Sequence, residues 1–81
     1  MIRITVSPQR AVRGWVVRVD LGETGYSEFK LTKFFAVRWA VAEAKRLHVQ
    51  YEDTASVLIQ KKDGRFEEER TFGHDPARTP G

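Results

Sequence analysis

Residues 32 to 49, TKFFAVRWAVAEAKRLHV, are the only stretch of the chain with a sustained helical period. They predict one amphipathic helix among short strands. Thr32 is placed to cap its N-terminus, because a threonine hydroxyl can accept a hydrogen bond from an orphaned backbone N–H of the first turn. Lys45, Arg46 and His48 fall in the last turn, where positive charge suits the helix dipole. At about 100° per residue, Ala36, Val37, Ala40, Val41, Ala44 and Leu47 share one face, and the alanines there allow a sheet to approach closely. Phe35 and Trp39 lie roughly opposite that stripe, flanked by Arg38, Ala42, Glu43 and Arg46. A helix with a good core face does not need two more aromatics outside it.

The flanking segments read as strands. Ile2 to Val6 alternates apolar and polar residues, and Pro8 closes that run. After a basic connection carrying Arg10 and Arg13, Gly14 returns the chain to extended structure, and WVVRVDL turns Trp15, Val17, Val19 and Leu21 to one side. Gly22-Glu23-Thr24-Gly25 reads as a hairpin connection. Tyr26 to Leu31 follows, with Phe29 and Leu31 expected inward and Tyr26, Glu28 and Lys30 outward. Beyond the helix, SVLIQKK and RFEEERTF are joined by Asp63-Gly64, read as a two-residue turn with both positions left-handed. That register sets Lys62 against Arg65 and Gln60 against Glu67, and it puts Val57, Ile59, Phe66 and Phe72 on one face with Leu58 on the other. The order β-β-β-α-β-β predicts a single α+β domain over residues 1–72, a largely antiparallel sheet with one helix packed on one face. Residues 73–81, rich in glycine and proline, are expected to form a flexible tail.

At 81 residues the chain has little room for a deep pocket. It has no cysteine, so neither disulfides nor thiolate metal sites hold it together. No run approaches the roughly 20 apolar residues of a membrane span, and the N-terminus lacks the apolar core of a signal peptide. A soluble cytoplasmic protein, without a membrane partner, cofactor, metal or evident small-molecule substrate, is the expectation. His48 and His74 have no ligand-spaced partners, and Glu67, Glu68 and Glu69 alternate across a strand, so no acid pair or metal set is formed. A non-enzymatic binding domain is expected.

A formal charge of +3 and a pI near 9.6 permit nucleic-acid binding without demanding it. The expected DNA or RNA site is the open face of the first three strands, with Arg3, Arg18, Tyr26 and Lys30 projecting from it and Arg10 and Arg13 in a nearby turn. Asp20 and Glu28 share that face and oppose phosphate, and a plain solvated sheet face is the simpler reading of it. The alternative function is a protein-interaction or self-associating module built on Phe35 and Trp39, with Arg38 and Arg46 beside them. The competing reading is that the loop after the helix, through Val49 or Tyr51, or the tail folds over these aromatics, while Phe34 lies near the core boundary.

Gly14-Trp15 opening a Val-rich strand, the Thr32-Lys33 helix start with Ala36 one turn later, Asp63-Gly64-Arg65, the EEERTFG run and the closing HDPARTPG form an ordered set. In these features the chain resembles a family of short bacterial domains of unknown function. The family pattern has a polar or acidic residue where Phe35 stands, and Trp39 also departs from it. A weaker resemblance, through Trp15, Phe29, Thr32 and Lys33, is to the N-terminal arm-binding domains of phage-type tyrosine integrases. It implies DNA contact through the sheet face at Arg18, Tyr26 and Lys30, although the hairpin from Ser56 to Phe72 lies outside that pattern.

Overall fold

In the computed structural model, which describes residues 1–73, strands β1 (Ile2–Pro8), β2 (Trp15–Asp20) and β3 (Gly25–Lys30) precede helix α1 (Lys33–Gln50). Strands β4 (Ala55–Gln60) and β5 (Phe66–Phe72) follow it. The five strands form one sheet in the order β3-β2-β1-β4-β5. Every neighbouring pair is antiparallel except β1 and β4, which run parallel. The first strand of the chain is therefore the central one. It can be, because the crossover through β2, β3 and α1 returns the chain to the end of the sheet from which β1 started.

The helix starts where its sequence dictates. Thr32 adopts an extended conformation and its hydroxyl accepts from the Phe35 N–H at 3.2 Å. Ala36, Ala40, Ala44 and Leu47 are buried against Ile2, Ile4 and Val6 of β1, Val17 and Val19 of β2, and Ala55, Val57 and Ile59 of β4. Small residues on the helix face let the backbone settle over β1 and β4, and α1 only grazes the outer strands β3 and β5. The core is thus a single layer between one helix and one sheet face.

Two facings differ from those the alternation suggested. In β3, Val19 stands opposite Tyr26, Val17 opposite Glu28 and Trp15 opposite Lys30, which puts Tyr26, Glu28 and Lys30 on the helix face and Phe29 with Val16 on the other. Paired residues share a face, so once Asp20 meets Gly25 across the connection the whole strand is committed. The inversion is tolerated because β3 is an edge strand outside the main footprint of the helix. Phe29 packs instead over Gly14, where a Cβ would stand 2.2 Å from its ring. Leu31, also expected inward, is exposed.

The second difference lies in the last hairpin. Gly64 N–H donates to Lys61 C=O at 3.0 Å and Lys61 N–H to Arg65 C=O at 2.7 Å, while Gly64, at φ +92°, is the one loop residue in left-handed conformation. Lys62 and Asp63 form the centre of a right-handed turn, with glycine supplying the bulge that matches the strand twist. This loop is one residue longer than a two-residue turn, so Gln60 meets Phe66, which sits on the face away from the helix and is exposed. A register shift between Ile59 and Gln60 then offsets the extra loop residue, so Val57, Ile59 and Phe72 keep their expected side.

Of the flexible tail expected over residues 73–81, Gly73 accepts from the Thr54 hydroxyl at 3.2 Å, and the remainder, HDPARTPG at 74–81, lies outside the described residues.

Candidate nucleic-acid interface

The six residues expected to meet nucleic acid do not form one surface. Arg3 and Arg18 project from the face of the sheet that the helix leaves open, and the register sets Asp20 opposite Arg3 on that face. With Glu69 on β5 also turned to this side, two acids balance the two arginines. Tyr26 and Lys30 lie on the helix face, for the register reason given above.

Tyr26 is committed to a contact within the fold. Its hydroxyl donates to Glu43 Oε2, and its ring meets Trp39 edge to face with centroids 6.3 Å apart. Arg46 donates to Glu43 at 2.9 and 3.0 Å and to Gln50 Oε1 at 2.8 Å. Partial burial, followed by donation to the Glu43 carboxylate and that group's charge, pushes the Tyr26 phenol up to about 12. Hydrogen bonding from Arg46 holds Glu43 below the usual carboxylate range against the opposing effect of burial, with Tyr26 adding to the lowering. A phenol whose pKa is raised on folding favours the folded state fully below pH 10.0, its ordinary value. That contribution is lost as pH rises through about 12, because the unfolded chain gives up its proton first. Tyr26→Phe is therefore expected to remove the tyrosinate absorbance step near pH 12 and to flatten the alkaline fall in stability between pH 10 and 12. A step that stays at that pH in the Phe variant would break the assignment.

Trp39, expected to stand free on the outer helix face, is half-buried and packs against the core. Tyr26 and the Lys30 ammonium, 6.0 Å from the indole centroid, cover it. Val49 and Tyr51 lie at the far end of the helix and are exposed. Of the expected protein-interface set, Phe35, Arg38 and Arg46 remain at the surface, Arg46 tied to Glu43 and Gln50, and two neighbours join Phe35 and Arg38. Leu31, Phe34 and Phe35 are 73%, 63% and 55% exposed, and the two phenylalanine rings meet edge to face at 5.4 Å. Phe34 thus belongs to the surface rather than to the core boundary.

The topology concentrates cations elsewhere. Because β1 and β4 are parallel, the β1–β2 connection, the β3–α1 junction and the β4–β5 turn all emerge at one end of the sheet. Arg10 and Arg13 come from the first, Lys30 and Lys33 from the second, and Lys61, Lys62 and Arg65 from the third: seven of the fourteen lysines and arginines in the chain. Arg10, Arg13 and Lys62 line one shallow hollow beside Trp15. Within this end, Lys33 pairs with Glu67 and Arg65 lies 3.6 Å from Asp63. The other five make no ion pair among the described residues. The opposite end holds Asp20 and Glu23 at the β2–β3 connection, and Glu52 and Asp53 after the helix. A small modest net charge therefore hides a strongly polar molecule.

Arg10, Arg13 and Lys30 were legible as candidates, while Lys33, Lys61, Lys62 and Arg65 were not. The basic composition of each loop is plain in the sequence. What joins the loops is the parallel pairing of β1 and β4, which has no local signature.

Among the described residues, no group of three or more His, Cys, Asp or Glu side chains is placed to hold a metal ion. No described helix is long and apolar enough to cross a membrane.

Residues 4–72 match a family described as an uncharacterized protein conserved in bacteria (DUF2188). The chain belongs to that family. No curated protein and no solved structure matches it, and the resemblance to integrase arm-binding domains finds no support in these comparisons.

Proposed function

We propose that this DUF2188 domain is a small non-enzymatic module that binds the phosphate backbone of nucleic acid at the basic end of its sheet. The observation that supports this reading is the convergence of Arg10, Arg13, Lys30, Lys61 and Lys62 from three separate connections. Like charges gathered without acidic partners repel one another, and an anion with regularly spaced charges relieves that repulsion while releasing its counterions. The acids at the opposite end favour approach in a single orientation. A cytoplasmic location goes with this reading.

Fluorescence anisotropy with a labelled 20-nucleotide probe at several salt concentrations tests it. Replacing Arg10, Arg13 and Lys62 together by alanine is expected to make the slope of log affinity against log salt shallower by about 2, since each neutralised phosphate contributes about 0.7 for a single strand. Equal affinity and an equal slope in parent and variant would sink the reading.

A second reading, self-association or capture of a protein partner, draws on the exposed Leu31, Phe34 and Phe35 with Arg38. It predicts a molar mass by light scattering that rises with protein concentration and falls back to the monomer in Phe35→Ala.

A further inference from the structure

Building on the basic-end reading, we infer that the preferred ligand is single-stranded, with an unpaired base seated in the groove between the edge of β3 and the start of α1. Leu31, Phe35 and Trp39 supply the apolar side chains of this groove, the β3 edge at Phe29 bounds it, and Lys30 and Arg38 stand in its lining. Phe35 is 55% exposed, so aromatic surface is available to a ligand.

The combination matches a nucleotide part by part. An aromatic ring receives the face of a base, and a cation a few ångströms away receives its phosphate. Lys30 belongs to both the groove and the basic end, so a strand whose phosphates run over Arg10, Arg13 and Lys62 is brought past Phe35. Duplex DNA or RNA offers the same phosphates, but its base faces are stacked inside the helix. Only an unpaired strand satisfies the cations and the aromatic groove together. An apolar protein segment would fill the groove yet leave the neighbouring cations without counter-charges, which makes a polyanion with π-faces the better complement.

The experiment compares a 20-nucleotide oligo(dT), an oligo(rU) of equal length and a mixed-sequence duplex at one salt concentration, with parent, Phe35→Ala and Phe35→Trp. At least one single strand is expected to bind about tenfold more tightly than the duplex. Phe35→Ala is expected to remove most of that margin with an unchanged salt slope, as loss of one stacking partner lowers affinity by roughly 5- to 150-fold. Phe35→Trp restores the margin, and a circular-dichroism melt of each variant separates lost stacking from lost folding. Salt-sensitive binding in which the duplex equals or exceeds both single strands would overturn the single-strand inference and leave the basic-end reading standing. Absence of salt-sensitive binding to all three probes would overturn both. A Phe35→Ala variant that binds like the parent, or that differs only in oligomer mass, would also defeat the inference.

Discussion

Gly14→Ala is expected to destabilise the domain by about 3 kcal/mol, a large share of the roughly 4–12 kcal/mol typical of a chain this size. Two costs coincide there. Gly14 has φ +155°, a conformation that L side chains rarely adopt, and a Cβ would stand 2.2 and 2.5 Å from two carbons of the Phe29 ring and 3.1 Å from the Lys30 carbonyl oxygen. The ring must leave its seat or the strand edge must shift. Gly22 provides the control, since it too has positive φ, at +101°, but nothing lies within 4 Å of its added Cβ. Gly22→Ala should show backbone strain alone, about 1 kcal/mol. Urea melts of both variants measure the difference, and thermal midpoints should separate by roughly 10 °C. If the two cost the same, Phe29 does not pack over Gly14. Because the same substitution disturbs Lys30 and the loop carrying Arg10 and Arg13, it should also weaken oligonucleotide binding at temperatures where the variant is still folded.

Ile4→Ala is expected to cost about 3–4 kcal/mol, within the range for deleting a large aliphatic side chain from a core that cannot collapse around the void. Ile4 is fully buried on the central strand, with Val19 on one side and Val57 on the other. The helix above presents alanines, which have no spare length to fill the space. Leu58→Ala removes a side chain of similar size from the neighbouring strand, on the face turned away from the helix, where Leu58 is half-buried. It should cost no more than about 1 kcal/mol. The contrast tests the one-layer architecture directly. Comparable losses at the two positions would mean that the outer sheet face is also covered in the protein.

Several elements were readable from local chemistry alone. The 3.6-residue period with Thr32 before it marked the helix to within a residue at each end, and its alanine stripe marked the core face. Alternation marked β1, β2 and β4 with their inward sides, and Asp63-Gly64 marked a turn, although only Gly64 took the left-handed conformation expected of both. Each of these signals lies within one or two turns of chain and needs no distant partner to be expressed.

Tyr26 to Leu31 shows where such signals end. The strand carries apolar side chains on both faces, so its alternation is compatible with either facing, and pairing with β2 selected the one that sends Phe29 outward and Tyr26 to Glu43. One added loop residue did the same to Phe66. The candidate site depended still more on distant pairing. Every lysine and arginine in it was visible, yet their assembly follows from β4 lying parallel to β1, a choice made by the packing of α1 across the sheet rather than by either strand. The sequence by itself determined which segments become helix, strand and turn, because backbone preference and side-chain period are local properties. Only the tertiary structure decided which strand faces and which loops share a surface, because register and strand order are settled where residues far apart in the chain must bury the same apolar area together.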